Sequence, residues 1–294
     1  GGMGALSDAI AAAARAAGAE IRTGAPVARI DSRRGRVTGV TLRSGVALEA
    51  STVVVSTHPR IAFLELVERG ELPESFVADI RRWNSRSGVV KVNLAVDRLP
   101  EFTARPGFAP DVHGGTIVLT PSLDELEQAF QEAAAGRPST RPFADICIPS
   151  VFDQTLAPAG HHIVSLFTQW VPHTWSAEPH NEDLDAHADR VIAGVEDAAP
   201  GFTDSIVHRQ VIGPYQLEHE YGLVGGNIFH GELSLSQLFH LRPAAGYANF
   251  RTPIRGLYQG GSATHGGGGV TGIPGRNAAR QVLRDRRRPR MLGG

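Results

Sequence analysis

The stretch Gly260–Ala279, GGSATHGGGGVTGIPGRNAA, is the most glycine-dense in the chain. Gly267, Gly269 and Gly272 have the G-x-G-x-x-G spacing. With no Cβ, such residues let a backbone come close to a ligand, and the first turn of a following helix offers free N–H groups that suit a pyrophosphate. The spacing alone does not make a nicotinamide site. That needs strand, loop, helix and second strand, then an acidic residue about 20 positions on for the ribose. Here the residues after Gly272 run into a basic tail, RDRRRPR, from Arg284 to Arg290. Val270, Ile273 and Pro274 are not linker residues, which argues against a flexible surface loop.

Other reactive groups give weaker patterns. GGSAT places Ser262 almost as in a G-x-S-x-G nucleophile elbow, but Thr264 stands where the last glycine belongs. No histidine follows His265, so the chain order of a hydrolase triad fails. His219-Glu220 is not H-E-x-x-H, because Leu223 occupies the position of the second histidine. Single histidines such as His173 and His230 read as hydrogen-bonding groups, and no metal site is expected. Asp183, Asp185 and Asp189 read as the solvated face of a helix. His265 is the weak candidate for a catalytic proton carrier; its plainer role is a hydrogen bond within the loop.

The 294 residues carry 41% hydrophobic and 20% charged side chains, ordinary for a globular protein. A formal net charge of -1 argues against a protein built to neutralise nucleic-acid phosphates. The basic tail reads as a solvated terminus, with contact to anionic lipid as the alternative. A lone cysteine, Cys147, excludes an internal disulfide and dithiol chemistry, and points to a reducing, cytoplasmic setting. No stretch has the apolar length of a transmembrane helix, and GGMGALSDAI lacks the basic start of a signal peptide.

These groups need elements to hold them. Residues 3–17 are alanine-rich and predict a helix that stops at Gly18. AEIRTG, residues 19–24, reads as a short strand. From Val27 the residues alternate, with turn signals at Arg34-Gly35 and Ser44-Gly45, which predicts short antiparallel strands. They lead to Val53-Val54-Val55, an apolar run of the kind buried on both faces. In the middle, Ser122 and Glu125 form a capping box, and Leu184, Ala188, Val191, Ile192 and Val195 make a helical stripe. GVVKVNLAV and HHIVSLFTQWV read as strands. GLYQGG is a last strand before the glycine loop and a final helix to Arg284. The fold class expected is α/β plus α+β. Residues 1–60 and 246–294 would form one discontinuous domain, and 61–245 an inserted substrate domain.

GGMGALSDAIAAAARAAGAEIRTGAPVARI, VVVSTHP, GGNIFHGELSLSQLFHLRP and GLYQGGSATHGGGGVTGIPGRNAA together resemble the phytoene desaturase-like, amine-oxidase-like flavoenzymes. Within that family they resemble the branch of pyridine nucleotide-disulfide oxidoreductase domain-containing protein 2 and its bacterial relatives, and the resemblance covers essentially the whole chain. It implies a domain that binds FAD. Val27 would lay its backbone against the adenine. Gly261 and Ser262, then Gly269, Val270 and Thr271, would pass the pyrophosphate and reach the flavin ring. The implied reaction is two-electron oxidation of a small lipophilic substrate, with peripheral membrane contact open; a non-catalytic binding or scaffold relative is the alternative. Two departures stand out. The family's His-Pro-Gly-Gly-Gly is here His265-Gly266-Gly267-Gly268-Gly269, and the family's N-terminal βαβ unit has no counterpart in these residues. Residues 1–294 by themselves are therefore expected to bind FAD weakly or not at all and to be inactive.

Overall fold

The computed structural model describes residues 1–120 and 122–287. In chain order its elements are α1 (Gly2–Ala16), β1 (Val27–Arg33), β2 (Arg36–Leu42), β3 (Ala47–Glu49), β4 (Val53–Val55), α2 (Glu74–Arg81), β5 (Val89–Val96), α3 (Pro110–His113), β6 (Thr116–Leu119), α4 (Leu123–Ala134), β7 (Phe143–Cys147), β8 (His162–Gln169), α5 (Asn181–Ala198), β9 (Ile206–Ile212), α6 (Pro214–His219), β10 (Leu257–Gln259) and α7 (Ile273–Arg287). They fall into two units, one of residues 1–19 and 86–227, the other of 20–85 and 228 onward.

The first unit is built on a five-stranded sheet in the order β6-β7-β8-β5-β9, each neighbour antiparallel. Strand alternation sends Val90, Val92, Leu94, Ile146 and Leu166 to one face. There they meet Leu184, Ala188, Val191 and Val195 of α5, the stripe expected from their spacing. His187, on the same helix, donates from Nε2 to Thr168 Oγ1 at 2.9 Å, and Thr168 in turn donates to the Val90 carbonyl at 2.9 Å. At the start of α4 the Ser122 hydroxyl accepts from the Glu125 N–H at 3.1 Å, so the predicted cap forms.

The second unit joins distant segments. β1, β2 and β3 form an antiparallel meander, entered by a tight turn at Arg34 and Gly35 with φ of 53° and 68°. β4 and β10 pair in parallel, Val53 with Leu257 and Val55 with Gln259. The Val37 N–H donates to the Arg255 carbonyl and the Arg255 N–H to the Gly35 carbonyl, both at 2.9 Å, which ties the meander to β10. Ile30, Val37, Phe63, Phe76, Ile80, Ile254 and Leu257 share one core. α7 is fixed on β10 through Asp285, which accepts from Tyr258 Oη at 3.0 Å and Arg251 Nε at 2.8 Å.

Three features differ from the sequence reading. AEIRTG forms no strand: residues 20–24 are irregular and Ile21 is exposed, and their backbone pairs with no strand among the described residues. Val54 is 48% exposed, so the described residues cover only one face of β4. The units also divide at other places than 60 and 246. Residues 1–19 group with the five-stranded sheet, the Gly2 N–H donating to Asp153 at 3.2 Å. Residues 61–85 and 228–245 group with the second unit, because Phe63 and Phe76 sit in its core. In the basic tail, Arg284, Arg286 and Arg287 form the exposed last turn of α7, and residues 288–294 lie outside the described residues.

The aromatic pair Phe76 and Tyr247, edge to face with centroids 4.9 Å apart, tests this discontinuous core. A double-mutant cycle of Phe76→Leu and Tyr247→Leu in urea unfolding should show a coupling of about 0.5–1.5 kcal/mol. Strict additivity would mean that the two segments do not share a core.

Candidate functional site

β4 and β10 are parallel, so the chain leaves both at the same edge of their sheet. In open parallel sheets the ligand crevice lies outside the carboxyl ends of the strands. Two segments leave this edge: Ser56-Thr57-His58-Pro59 after β4, and the glycine loop after β10. They come very close. The Gly260 N–H donates to the Val55 carbonyl at 2.8 Å. A Cβ on Gly261 would stand 2.3 Å from the Ser56 carbonyl oxygen, so no other residue fits there. Thr264 donates to the Gly261 carbonyl from Oγ1 at 2.7 Å and from its N–H at 3.1 Å, and the Gly267 N–H donates to Thr264 at 3.0 Å. The loop thus begins as tight successive turns.

Its outer part is bare backbone. Gly266, Gly267, Gly269 and Gly272 all have positive φ, and so does Val270 at 54°. A β-branched residue in that region is strained, and such strain tends to collect at binding sites. Val270 is 54% exposed. Above Gly267 and Gly272 a Cβ would meet nothing within 4 Å, and above Gly269 only the Thr271 methyl at 3.6 Å. Thr271 stands two residues before α7, its Oγ1 accepting from the Ile273 N–H at 3.2 Å. Of the residues singled out from the sequence, Gly261, Ser262, Gly269, Val270 and Thr271 lie in this one loop. Val27 lies elsewhere in the same unit, at the start of β1 opposite Leu42. His265 is exposed, its ring centroid 6.4 Å from that of Phe239. The loop fits a dinucleotide such as FAD on two counts: a backbone pressed against the strand exit, and outward glycines that a Cβ would cover.

Sequence reasoning missed three groups. His58, after β4, is 1% exposed. Its Nδ1 accepts from the Arg60 N–H at 3.2 Å, which leaves the ring proton on Nε2, facing Ser85 Oγ at 2.6 Å. A base for Ser85 would need that nitrogen unprotonated, so the pair holds structure together and does not activate a nucleophile. Burial, with smaller contributions from His230 and Arg60, pushes the His58 pKa down to about 4. His230, whose ring lies 6.0 Å from that of His58, is lowered as well, by burial first and then by Arg242. Arg242 itself is almost fully buried.

The third is Lys91, in the first unit. It is the only lysine among 29 lysines and arginines, a signal that was present in the composition. Strand alternation places it on the face of β5 opposite the core, half-buried, in line with Asn93. Asn93 accepts from Ser165 Oγ at 3.1 Å and donates to Gln210 Oε1 at 3.2 Å. Burial lowers the Lys91 pKa, partly opposed by Cys147. An arginine there would keep its proton, because its guanidinium stays charged.

Comparison with known proteins gives a consistent picture. Residues 1–283 match the family described as Flavin containing amine oxidoreductase. The chain is 45% identical over 297 residues to pyridine nucleotide-disulfide oxidoreductase domain-containing protein 2 of Rattus norvegicus, covering 97% of this chain and 50% of that protein. It is 27% identical over 281 residues to a neurosporene-forming phytoene desaturase of Cereibacter sphaeroides, covering 94% of this chain and 51% of that protein. Among solved structures, a cofactor-binding redesign of putrescine oxidase matches with a TM-score of 0.59 at 14% identity, covering 93% of this chain and 51% of its own. That last likeness is one of fold. The chain spans about half the length of the curated relatives it matches. The resemblance drawn from the sequence motifs is met.

Two titrations test these buried groups. Native His58 stays neutral down to about pH 4, whereas in the unfolded chain it takes up a proton near 6.5. Between those values the unfolded state binds more protons, so stability should fall as pH drops from 6.5 toward 4, with His230 acting in the same sense. For His58 this is on the order of 3 kcal/mol. His58→Gln, which keeps a donor toward Ser85, should flatten the pH dependence of urea unfolding; an unchanged slope would contradict the assignment. The Lys91 peptide, followed by mass spectrometry during acylation, should react with a midpoint below the ordinary lysine value of 10.5. A midpoint at or above that value would count against its burial.

Proposed function

The chain belongs to the flavin containing amine oxidoreductase family, and from that premise we propose that the protein carrying it is an FAD-dependent oxidoreductase of desaturase or dehydrogenase type. Bound FAD would supply the two-electron acceptor, and the protein the orientation and electrostatics. The observation that carries the reading is the contact of Gly261 with the exit of β4, followed by a strained loop of outward glycines. Gly261, Ser262, Gly269, Val270 and Thr271 would hold the pyrophosphate and flavin side, and Val27 the adenine side. A small lipophilic substrate is the reading we favour, supported by the likeness to a phytoene desaturase.

The proton side of the reaction needs a group able to change charge near neutral pH. His265, exposed at the loop, is the candidate. No described helix is long and apolar enough to cross a membrane. Arg284, Arg286 and Arg287, exposed at the end of α7, would give a cytoplasmic protein a peripheral contact with anionic lipid.

Flavin retention tests the assignment. Gly269 has φ +98°, so any replacement strains the loop. Gly269→Ala carries that strain without bulk, whereas Gly269→Arg also fills the space above the loop. In the full-length protein the alanine variant should keep at least part of its bound flavin, and the arginine variant should purify colourless. Equal visible absorbance in both variants and in the wild type would remove the loop from the cofactor site.

A further inference from the structure

Arg242 is 2% exposed, and its guanidinium is surrounded by main-chain carbonyls. Nη2 donates to Phe229 at 2.8 Å, Ser262 at 3.2 Å and Gly231 at 3.4 Å. Nη1 donates to Gln237 at 3.1 Å and Glu232 at 3.3 Å, and Nε to Ser262 at 3.4 Å. The Trp83 ring stacks beneath, 5.0 Å from its centroid to the guanidinium carbon, and Trp83 Nε1 donates to the His230 carbonyl at 2.8 Å. Among the described residues none of the acceptors of Arg242 is a carboxylate. Residues 229–237 have no α-helix or strand of their own. They are folded around a cation, much as carbonyls fold around a bound metal ion.

This cage touches the glycine loop at two points. One is the Ser262 carbonyl, held by both Nε and Nη2. The other is Gly268, where a Cβ would stand 2.9 Å from Phe229 Cδ1. Between them lie Gly266 and Gly267, both with positive φ. Glycines lose more conformational freedom on ordering than other residues, so contacts from outside the loop decide whether it is preformed.

We infer that Arg242 is a positioning residue: through its carbonyl cage it anchors the glycine loop at Ser262, and through Phe229 at Gly268, in the form that receives the dinucleotide. This rests on the FAD reading above. Lysine keeps the charge but offers three donors from one nitrogen, and cannot span carbonyls that a planar fork reaches from three nitrogens.

The test uses the full-length protein as wild type, Arg242→Lys and Gly268→Val. FAD affinity is read from flavin fluorescence on titrating the apoprotein, loop order from hydrogen exchange at Thr264 and Gly267, and rigidity of the bound ring from the fine structure of the flavin absorption band. Arg242→Lys should bind FAD at least tenfold more weakly. It should also exchange faster at Thr264 and Gly267, with protection in β1, β2 and the five-stranded sheet unchanged, and lose the resolved absorption shoulders. Wild-type affinity together with wild-type exchange would overturn the inference. If Arg242→Lys fails to fold, Gly268→Val, whose Cβ would stand 2.9 Å from Phe229 Cδ1, decides: tenfold weaker binding supports the anchor and unchanged affinity overturns it. If the wild type takes up no flavin, the FAD reading fails on its own, and the exchange comparison still judges Arg242.

Discussion

Residues from opposite ends of the chain meet in three register pairs, Val53 with Leu257, Val54 with Tyr258 and Val55 with Gln259. This short parallel pairing is the constraint on which the site depends. Parallel strands cannot be joined by a tight turn, so a long excursion must lie between them. Here that excursion includes the whole five-stranded sheet and α5. Because the two strands point the same way, their exits fall at one edge, and the His58 segment and the glycine loop are both delivered there. The core beneath them, from Ile30 to Leu257, is equally non-local. Loss of this pairing would scatter the loop, His58 and the Arg242 cage together.

Polar groups in the second unit are buried with main-chain partners more than with opposite charges. Arg242 bonds to carbonyls and is pushed down by burial to about 10, which still leaves it charged at neutral pH. His58 and His230 respond to the same surroundings by staying neutral. A second buried positive charge beside Arg242 would lack compensation, and burying an uncompensated ion costs several kcal/mol. Asp285 shows the contrasting solution nearer the surface. Hydrogen bonds from Arg251 first, then from Tyr258 and Gln281, lower its pKa, so the carboxylate that holds α7 on β10 stays ionised.

The sequence disclosed what local pattern controls. The stripe on α5 and the Ser122 cap are i, i+3 and i, i+4 features, so they could be read without knowing the fold. β5 and β8 announce themselves by alternation. The glycine loop could be placed after a strand and before a helix, and its family likeness named. What could not be read was settled by distant partners. AEIRTG has strand-like composition, but none of its residues pairs with a strand among the described residues. Val54 looks as buried as Val53 and Val55, yet faces outward. The unit boundaries depend on where Phe63, Phe76 and Arg242 find their contacts. HLRP reads as an ordinary loop; nothing local shows that five carbonyls converge on its arginine.

Lys91 was legible by a different route. A chain that uses arginine for nearly every cation has little need of lysine for surface charge, and the one exception sits half-buried on a central strand. The difference between the two side chains is the ability to lose a proton at accessible pH. Arg242 and Lys91 therefore mark opposite demands on a cation. At Arg242 the protein needs a permanent charge with donors fanned in a plane, because carbonyls must be gathered from three stretches of chain. At Lys91 it places a single nitrogen where burial weakens its hold on a proton. Exchanging the two residue types would fail at both positions, for geometric reasons at the first and for acid–base reasons at the second.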